Sequence, residues 1–363
     1  MSDTFEQAKA FFLQGLQAAQ DGRLAEAESA FEASLRLAPG RASSLTNLGV
    51  VRVRQGRFRE AMAPLDAALA QEPDNVEALG HRAMARAELG QREAALADTG
   101  RAVQLQPRLG QAWGLRGTLL KELGRPAEAA AALEQAIALG SDVELHRYTL
   151  AGLRGDAAPA SPPQGYVQGL FDAYAAQFDG HLVEVLQYRA PERLLAPLQA
   201  RGLRVARALD LGCGTGLCGP LLKTLARHRT GVDLSEAMLA RAREGGCYEA
   251  LVQADLVRFL EEDATCWNLV VAADVFIYVG ALDRAFAALA RRMATGGVLC
   301  FSLEESAEAD LVLRPSLRYA HSEASVLALA QRHGFEVEAV RRETLRQEEG
   351  APIPGLYCWL RRR

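Results

Sequence analysis

Four aspartates and three glycines in the second half of this 363-residue chain have the residue types and spacing that ligand chemistry needs. In ALDLGCGTGLCG, residues 208–219, an apolar run closes on Asp210 and then turns through Gly212, Gly214 and Gly216. Bare backbone permits unusual dihedral angles and close approach of a ligand, where a side chain would collide with it. Asp233 closes HRTGVD, Asp255 follows LVQA and Asp274 follows WNLVVAA. Carboxylates at strand ends can accept hydrogen bonds from a nucleotide-type cofactor, and an ionised acceptor of a sugar diol contributes about 1.5–3 kcal/mol. The spacing Asp-x-Gly-x-Gly-x-Gly ends one residue short of the dinucleotide fingerprint, which would put its third glycine at Leu217. That spacing argues against NAD or FAD.

Bringing these acids to one edge requires a parallel sheet covered on both faces, whose ligands lie beyond the strands' carboxyl ends. Val205 to Leu211 reads as the first strand, followed by a helix from about Pro220 to His228 and a short strand ending at Asp233. Ser235 is placed to cap the next helix. LVQADL supplies a third strand, WNLVVAADVFIYVG a fourth that ends at Asp274, and GGVLCFSLEE a fifth. FEVEAVRR and GLYCWLRR, joined by a polar loop with Pro352 and Pro354, read as a closing antiparallel pair. Ahead of the sheet, residues 166–194 carry Phe171, Tyr174 and Phe178 on one helical face. Such a stripe fits either a segment folded over the ligand or a helix packed on the sheet.

On these residues, the segment from Tyr166 to the C-terminus resembles a class I S-adenosylmethionine-dependent methyltransferase. The resemblance implies a Rossmann-like α/β domain with strand order 3-2-1-4-5-7-6, its last strand antiparallel, and S-adenosylmethionine as cofactor. It also implies that Asp210, Gly212, Cys213, Gly214 and Gly216 cradle the methionine end, and that Asp233 holds the ribose with Leu234 and Met238 beside the adenine. Asp255 with Leu256 would meet the adenine amino group, and Asp274 to Tyr278 would face methionine and acceptor. Residues 166–200 are similar to the N-terminal helical cap of one branch of the family, with Tyr174 at the cofactor. Methyl transfer from a sulfonium is an in-line displacement helped mainly by positioning and exclusion of water. If the acceptor is a hydroxyl, phenol or ammonium, something must take its proton, and the candidates are His321, His181 and Tyr278. His321 stands in RYAHSE before a helix capped by Ser322, and a lone histidine at a helix start is more often structural than catalytic.

Several features narrow the acceptor. The fourth strand ends in Asp-Val-Phe-Ile-Tyr rather than the Asn/Asp-Pro-Pro-Tyr/Phe of enzymes that methylate adenine or amide nitrogens, and there is no Pro-Cys pair for attack on a pyrimidine. The six cysteines lack metal-ligand spacing and read as buried reduced thiols, with no metal expected. A net charge of −4 without a long basic block argues against a nucleic-acid partner. No apolar run reaches about 18 residues and MSDTFEQAKAFF has no apolar signal core, so a cytoplasmic protein with no membrane span is expected.

The first half is organised by period. Gly22, Gly56, Gly90 and Gly124 recur every 34 residues, as do Ala27, Ala61, Ala95 and Ala129, and Pro39, Pro73 and Pro107 keep the same interval. This half resembles tetratricopeptide repeats, an all-α solenoid of four units within residues 1–154, with a cap from Asp142 to Leu153. The repeat positions place Phe12, Leu16, Ser43, Thr46, Asn47, Val50, Val53, Gly80, Met84, Ala87, Gly114, Thr118 and Lys121 on a concave groove. That set is small and apolar, suited to an extended apolar peptide or a helix; a scaffold for self-association is the alternative. Residues 155–165, rich in proline, alanine and glycine, read as a semi-rigid linker to the 166–363 domain. The expectation is a methyltransferase acting on a protein, peptide or small organic acceptor, with the repeats recruiting substrate or partner. The alternative is an interaction scaffold whose second domain binds cofactor but does little catalysis.

Overall fold

A computed structural model of the chain describes residues 2–174, 188–348 and 350–363. The chain forms two compact units, Met1–Leu153 and Arg154–Arg363. The first consists of helix pairs: α1 (Ser2–Gln20) with α2 (Leu24–Leu37), α3 (Ala42–Arg54) with α4 (Phe58–Gln71), α5 (Val76–Glu88) with α6 (Arg92–Leu105), and α7 (Gly110–Glu122) with α8 (Pro126–Ala138). The cap follows as α9 (Val143–Arg154). Its His146 packs over Gly114, leaving no room for a side chain there.

The 34-residue period is a packing period. Gly22, Gly56, Gly90 and Gly124 take positive φ after the first helix of each pair, and Ala27, Ala61, Ala95 and Ala129 are fully buried. At Gly49 an added Cβ would lie 2.5 Å from Leu65 Cγ, so α3 and α4 meet where one of them has no side chain. Three expected groove residues are buried within the unit instead. Val53 joins the core around Leu65 and Leu69, Thr46 accepts from Asn75 Nδ2 at 3.2 Å, and Gly114 lies under the cap helix. Met84 and Thr118 are exposed, and the others in that set are partly so.

The second unit opens with α10 (Tyr166–Tyr174) and α11 (Ala190–Ala200). Strands β1 (Val205–Leu211), β2 (Ala226–Asp233), β3 (Ala250–Gln253), β4 (Trp267–Ala272) and β5 (Met293–Glu305) then pair in parallel in the order β3-β2-β1-β4-β5. Helices α12 (Gly219–Leu222), α13 (Glu236–Gly245), α14 (Leu256–Glu262) and α15 (Asp283–Arg292) connect them. Beyond β5 lie antiparallel β9 (Ala351–Arg362) and then β8 (Phe335–Glu348), entered from α16 (Glu323–Arg332). With this last pair counted as the sixth and seventh strands, the order is the expected 3-2-1-4-5-7-6. A short hairpin of β6 (Leu311–Leu313) and β7 (Tyr319–His321), not foreseen from the sequence, attaches to the end of β5 at Glu304 and Glu305.

Alternation along the central strands divides the core between the two faces of the sheet. Leu209, Leu211, Val270, Phe276, Phe286 and Phe301 fill one layer; Ala208, Leu269, Val271, Cys300 and Trp359 fill the other with Leu194 and Leu195 of α11. Two boundaries differ from the sequence reading. The helix expected to reach His228 stops at Leu222, because residues 226–228 pair with 205–207 and satisfy that end of β1. The supposed polar loop around Pro352 and Pro354 is strand, paired with Gln347 and Thr344 of β8. Pairing with β5 begins only at Gly355, so neither proline is asked for a second ladder hydrogen bond. Five cysteines are buried as expected, whereas Cys266 is exposed. Among the described residues no helix is long and apolar enough to cross a membrane.

Two glycine-to-alanine changes separate packing from helix propensity. Gly49→Ala is expected to lower stability by about 1–2 kcal/mol, since overpacking at Leu65 outweighs the gain in propensity. Gly80→Ala, with nothing within 4 Å of the new methyl, is expected to be neutral or slightly stabilising. Urea unfolding followed by helical circular dichroism distinguishes them, and equal effects would contradict the packing argument.

Candidate cofactor and acceptor site

The end of β1 leads into a turn in which Gly212, Gly214 and Gly216 have φ of 62°, 54° and 93°. A Cβ on Gly212 would lie 2.5 Å from Val275, so the turn and the loop after β4 approach backbone to side chain. Cys213 donates its N–H to Val232 O at 3.0 Å, tying the turn to β2. Asp233, at the end of β2, accepts from Gly214 N at 2.8 Å and from Ser235 N at 2.9 Å. Burial raises its carboxyl above the ordinary range, while the N–H groups of Ser235, Gly214 and Leu234 oppose that shift. Ser235 caps α13 by accepting from Met238 N and donates to Asp172 Oδ1 at 2.5 Å, which pins α10 to the same corner.

The other acids occupy distinct environments. Asp255 caps α14, accepting from Arg258 N at 2.9 Å, and is exposed. Asp274 takes φ 58°, donates its N–H to Ser302 Oγ at 2.8 Å, and pairs with Arg346 Nη1 at 3.1 Å. Asp210 is almost fully buried and accepts from the Tyr248 hydroxyl at 2.6 Å; burial pushes its carboxyl up to about 7.

A cavity of about 930 Å³ opens at this edge. Of the expected site residues its wall includes Gly212, Gly214, Asp233, Leu234, Asp255, Leu256, Asp274 and Tyr278. Asp210, Cys213, Gly216 and Met238 are not in the wall. Asp210, Cys213 and Met238 are buried, and Gly216 sits against Tyr248 and Ala242. His321 is also outside the wall: its Nε2 donates to Gly280 O at 2.7 Å, its Nδ1 is buried without a partner among the described residues, and burial lowers its pKa, so the neutral ring braces the Gly280 loop. The side chain of Tyr174 and all of Phe178 and His181 lie outside the described residues.

Several wall residues were not foreseen. Val167 and Leu170 of α10 face the cavity beside Phe171, the residue of the aromatic stripe that one of its two readings folds over the ligand, and Phe171 meets Tyr278 edge to face at 5.1 Å. Ser161 to Gly165 also line it, and Ala160 O accepts from Ala281 N at 2.8 Å, so the end of the expected linker is a strap on this unit. Arg318, Arg346 and Glu348 also belong to the wall. The alternation RRETLRQE carried a signal for the last two. Arg346 and Glu348 are two apart on β8 and therefore share a face.

The Asp210 environment predicts a pH dependence. The unfolded carboxyl titrates near 3.9, so the folded protein binds the extra proton between that value and about 7. Stability from this group is therefore present at low pH and lost as pH rises through about 7. Near pH 8 Asp210→Asn is expected to be more stable than the parent by about 4 kcal/mol and to unfold at a correspondingly higher temperature, with the gap closing toward pH 4. Calorimetry across that range that finds a constant gap would contradict this.

Comparison with known proteins agrees with the geometry. Residues 208–297 match the family model of a methyltransferase domain, and residues 18–87 and 110–139 match tetratricopeptide repeat models. The chain is 35% identical over 143 residues to a malonyl-[acyl-carrier protein] O-methyltransferase of Geobacter sulfurreducens, covering 38% of this chain and 52% of that protein. With the protein of the same description from Methylococcus capsulatus it shares 33% identity over 193 residues, covering 51% and 68%. A ubiquinone biosynthesis O-methyltransferase of Aromatoleum aromaticum is 31% identical over 105 residues, covering 28% and 45%. The chain spans about half the length of most relatives it matches. By its strand order, its glycine turn and these matches, the chain belongs to the S-adenosylmethionine-dependent methyltransferases, with tetratricopeptide repeats ahead of that domain.

Proposed function

We propose that this chain transfers a methyl group from S-adenosylmethionine to a small organic or acyl acceptor, which the repeats help to deliver on a protein partner. One observation carries the reading: bare backbone at Gly212 and Gly214, the Asp233 carboxylate and the Asp255 side chain share one cavity wall with Tyr278 and Arg318. The residues fit the cofactor. Each Asp233 oxygen accepts one backbone N–H and keeps a lone pair for a ribose hydroxyl, and Asp255 spends only Oδ1 on its helix. The bound cofactor supplies an electrophilic methyl on a sulfonium. The protein's part is to hold donor and acceptor in line and to exclude water, through α10 and the strap. The relatives act on malonyl groups carried by acyl-carrier protein, which supports an acceptor that is chemically small and delivered by a protein.

Isothermal titration tests the site. The parent is expected to bind S-adenosylmethionine, and Asp233→Ala to weaken binding by about 10- to 100-fold, corresponding to 1.5–3 kcal/mol for a charge-assisted acceptor. A parent that does not bind removes the reading. Deleting residues 1–154 is expected to leave this titration unchanged and to slow methylation of a protein-borne acceptor. Deleting 1–165, which also removes the strap, is expected to weaken both.

A further inference from the structure

Arg318, in the turn between β6 and β7, lines the cavity and is already loaded with a carboxylate from the protein's own chain. Its Nη1 donates to both oxygens of Glu348, at 2.7 and 2.9 Å, and its Nε donates to the Tyr278 hydroxyl at 3.2 Å. Its Nη2 makes no hydrogen bond among the described residues, and the side chain lies in the cavity wall. A guanidinium fork with a free arm, beside a phenol, is the recognition geometry for a planar anion.

The charges around it say how such an anion could enter. Arg314, Arg318 and Arg346 stand against Asp274, Glu304 and Glu348, and the exposed Glu308 adds a fourth carboxylate 3.7 Å from Arg314, so each arginine is already matched. A further anion would unbalance the set in a partly buried place, where an uncompensated charge is costly. Two of the carboxylates are fixed: the side chains of Glu304 and Asp274 are 2% and 12% exposed, and both are held by Arg346, itself 1% exposed. Glu348 differs. It is 33% exposed and is the last residue of β8, at the tip of the terminal hairpin. It is therefore the exchangeable member.

We propose that Arg318 and Tyr278 form a subsite for a carboxylate of the methyl acceptor, and that Glu348 is its internal occupant, displaced when an acid binds. Exchange of one carboxylate for another keeps the charge balance, whereas a neutral acceptor would have to compete with Glu348 without compensation. The subsite thus selects acids among compounds small enough for the cavity. This inference rests on the methyltransferase reading.

The test uses the full chain saturated with S-adenosylhomocysteine, whose binding is measured first; failure at that step speaks against the methyltransferase reading alone. Malonate, glutarate and benzoate are then titrated, each against its amide. At least one acid is expected to bind about tenfold more tightly than its amide, Glu348→Gln to tighten that acid several-fold further, and Arg318→Met to abolish the preference. S-adenosylhomocysteine affinity is expected to stay unchanged in both variants, which shows that the site is still folded. Acid and amide binding alike in the parent and in Glu348→Gln, or an acid weakened by Glu348→Gln, overturns the subsite.

Discussion

The hydrogen bond from the Gly214 N–H to Asp233 is the constraint on which the site depends. It joins the turn after β1 to the end of β2, and it can form only because the turn carries bare backbone through three positive-φ residues. The same carboxylate orders Ser235, which caps α13 and holds Asp172 of α10. One acid therefore fixes floor, side and lid of the cavity together. Asp210, one strand away, does the opposite work. Sealed with Tyr248 beneath the turn, it supports the backbone and leaves the wall to others.

A second cluster fixes the other side. Arg346 reaches from β8 to Glu304 on β5 and Asp274 after β4, so three elements distant in sequence converge on a buried guanidinium. Removing one member of such a set leaves a buried charge uncompensated, which explains how the strained φ of Asp274 persists. The cluster also gives the cavity two unlike ends: acids and backbone donors at Asp233 and Asp255, and paired arginines at Arg318 and Arg346.

What the sequence disclosed divides along physical lines. The sheet was legible because the fourth and fifth strands read as apolar runs and an acid closes or soon follows the first four, and the repeats because one packing geometry recurs every 34 residues. The wall residues Gly212, Gly214, Asp233 and Asp255 were legible for the same reason, being fixed by local strand-to-helix turns. Arg318 was not, since its role comes from an ion pair between elements, and the alternation in RRETLRQE puts Arg346 and Glu348 on one face without saying what they meet. The strap was hidden by composition: Pro162 and Pro163 look like a spacer, whereas the Ala160–Ala281 hydrogen bond and the place of Ser161 to Gly165 in the cavity wall put the segment on the loop after β4. His321 drew attention by residue type, yet burial and the Gly280 carbonyl define its place.

The most direct measurement is a crystal structure of the chain with S-adenosylhomocysteine. The account requires the ribose hydroxyls on Asp233, the adenine beside Leu234 and Leu256, and the amino-acid end over Gly212 and Gly214. Ligand density elsewhere, or at this edge with Asp233 turned away from the sugar, would contradict it.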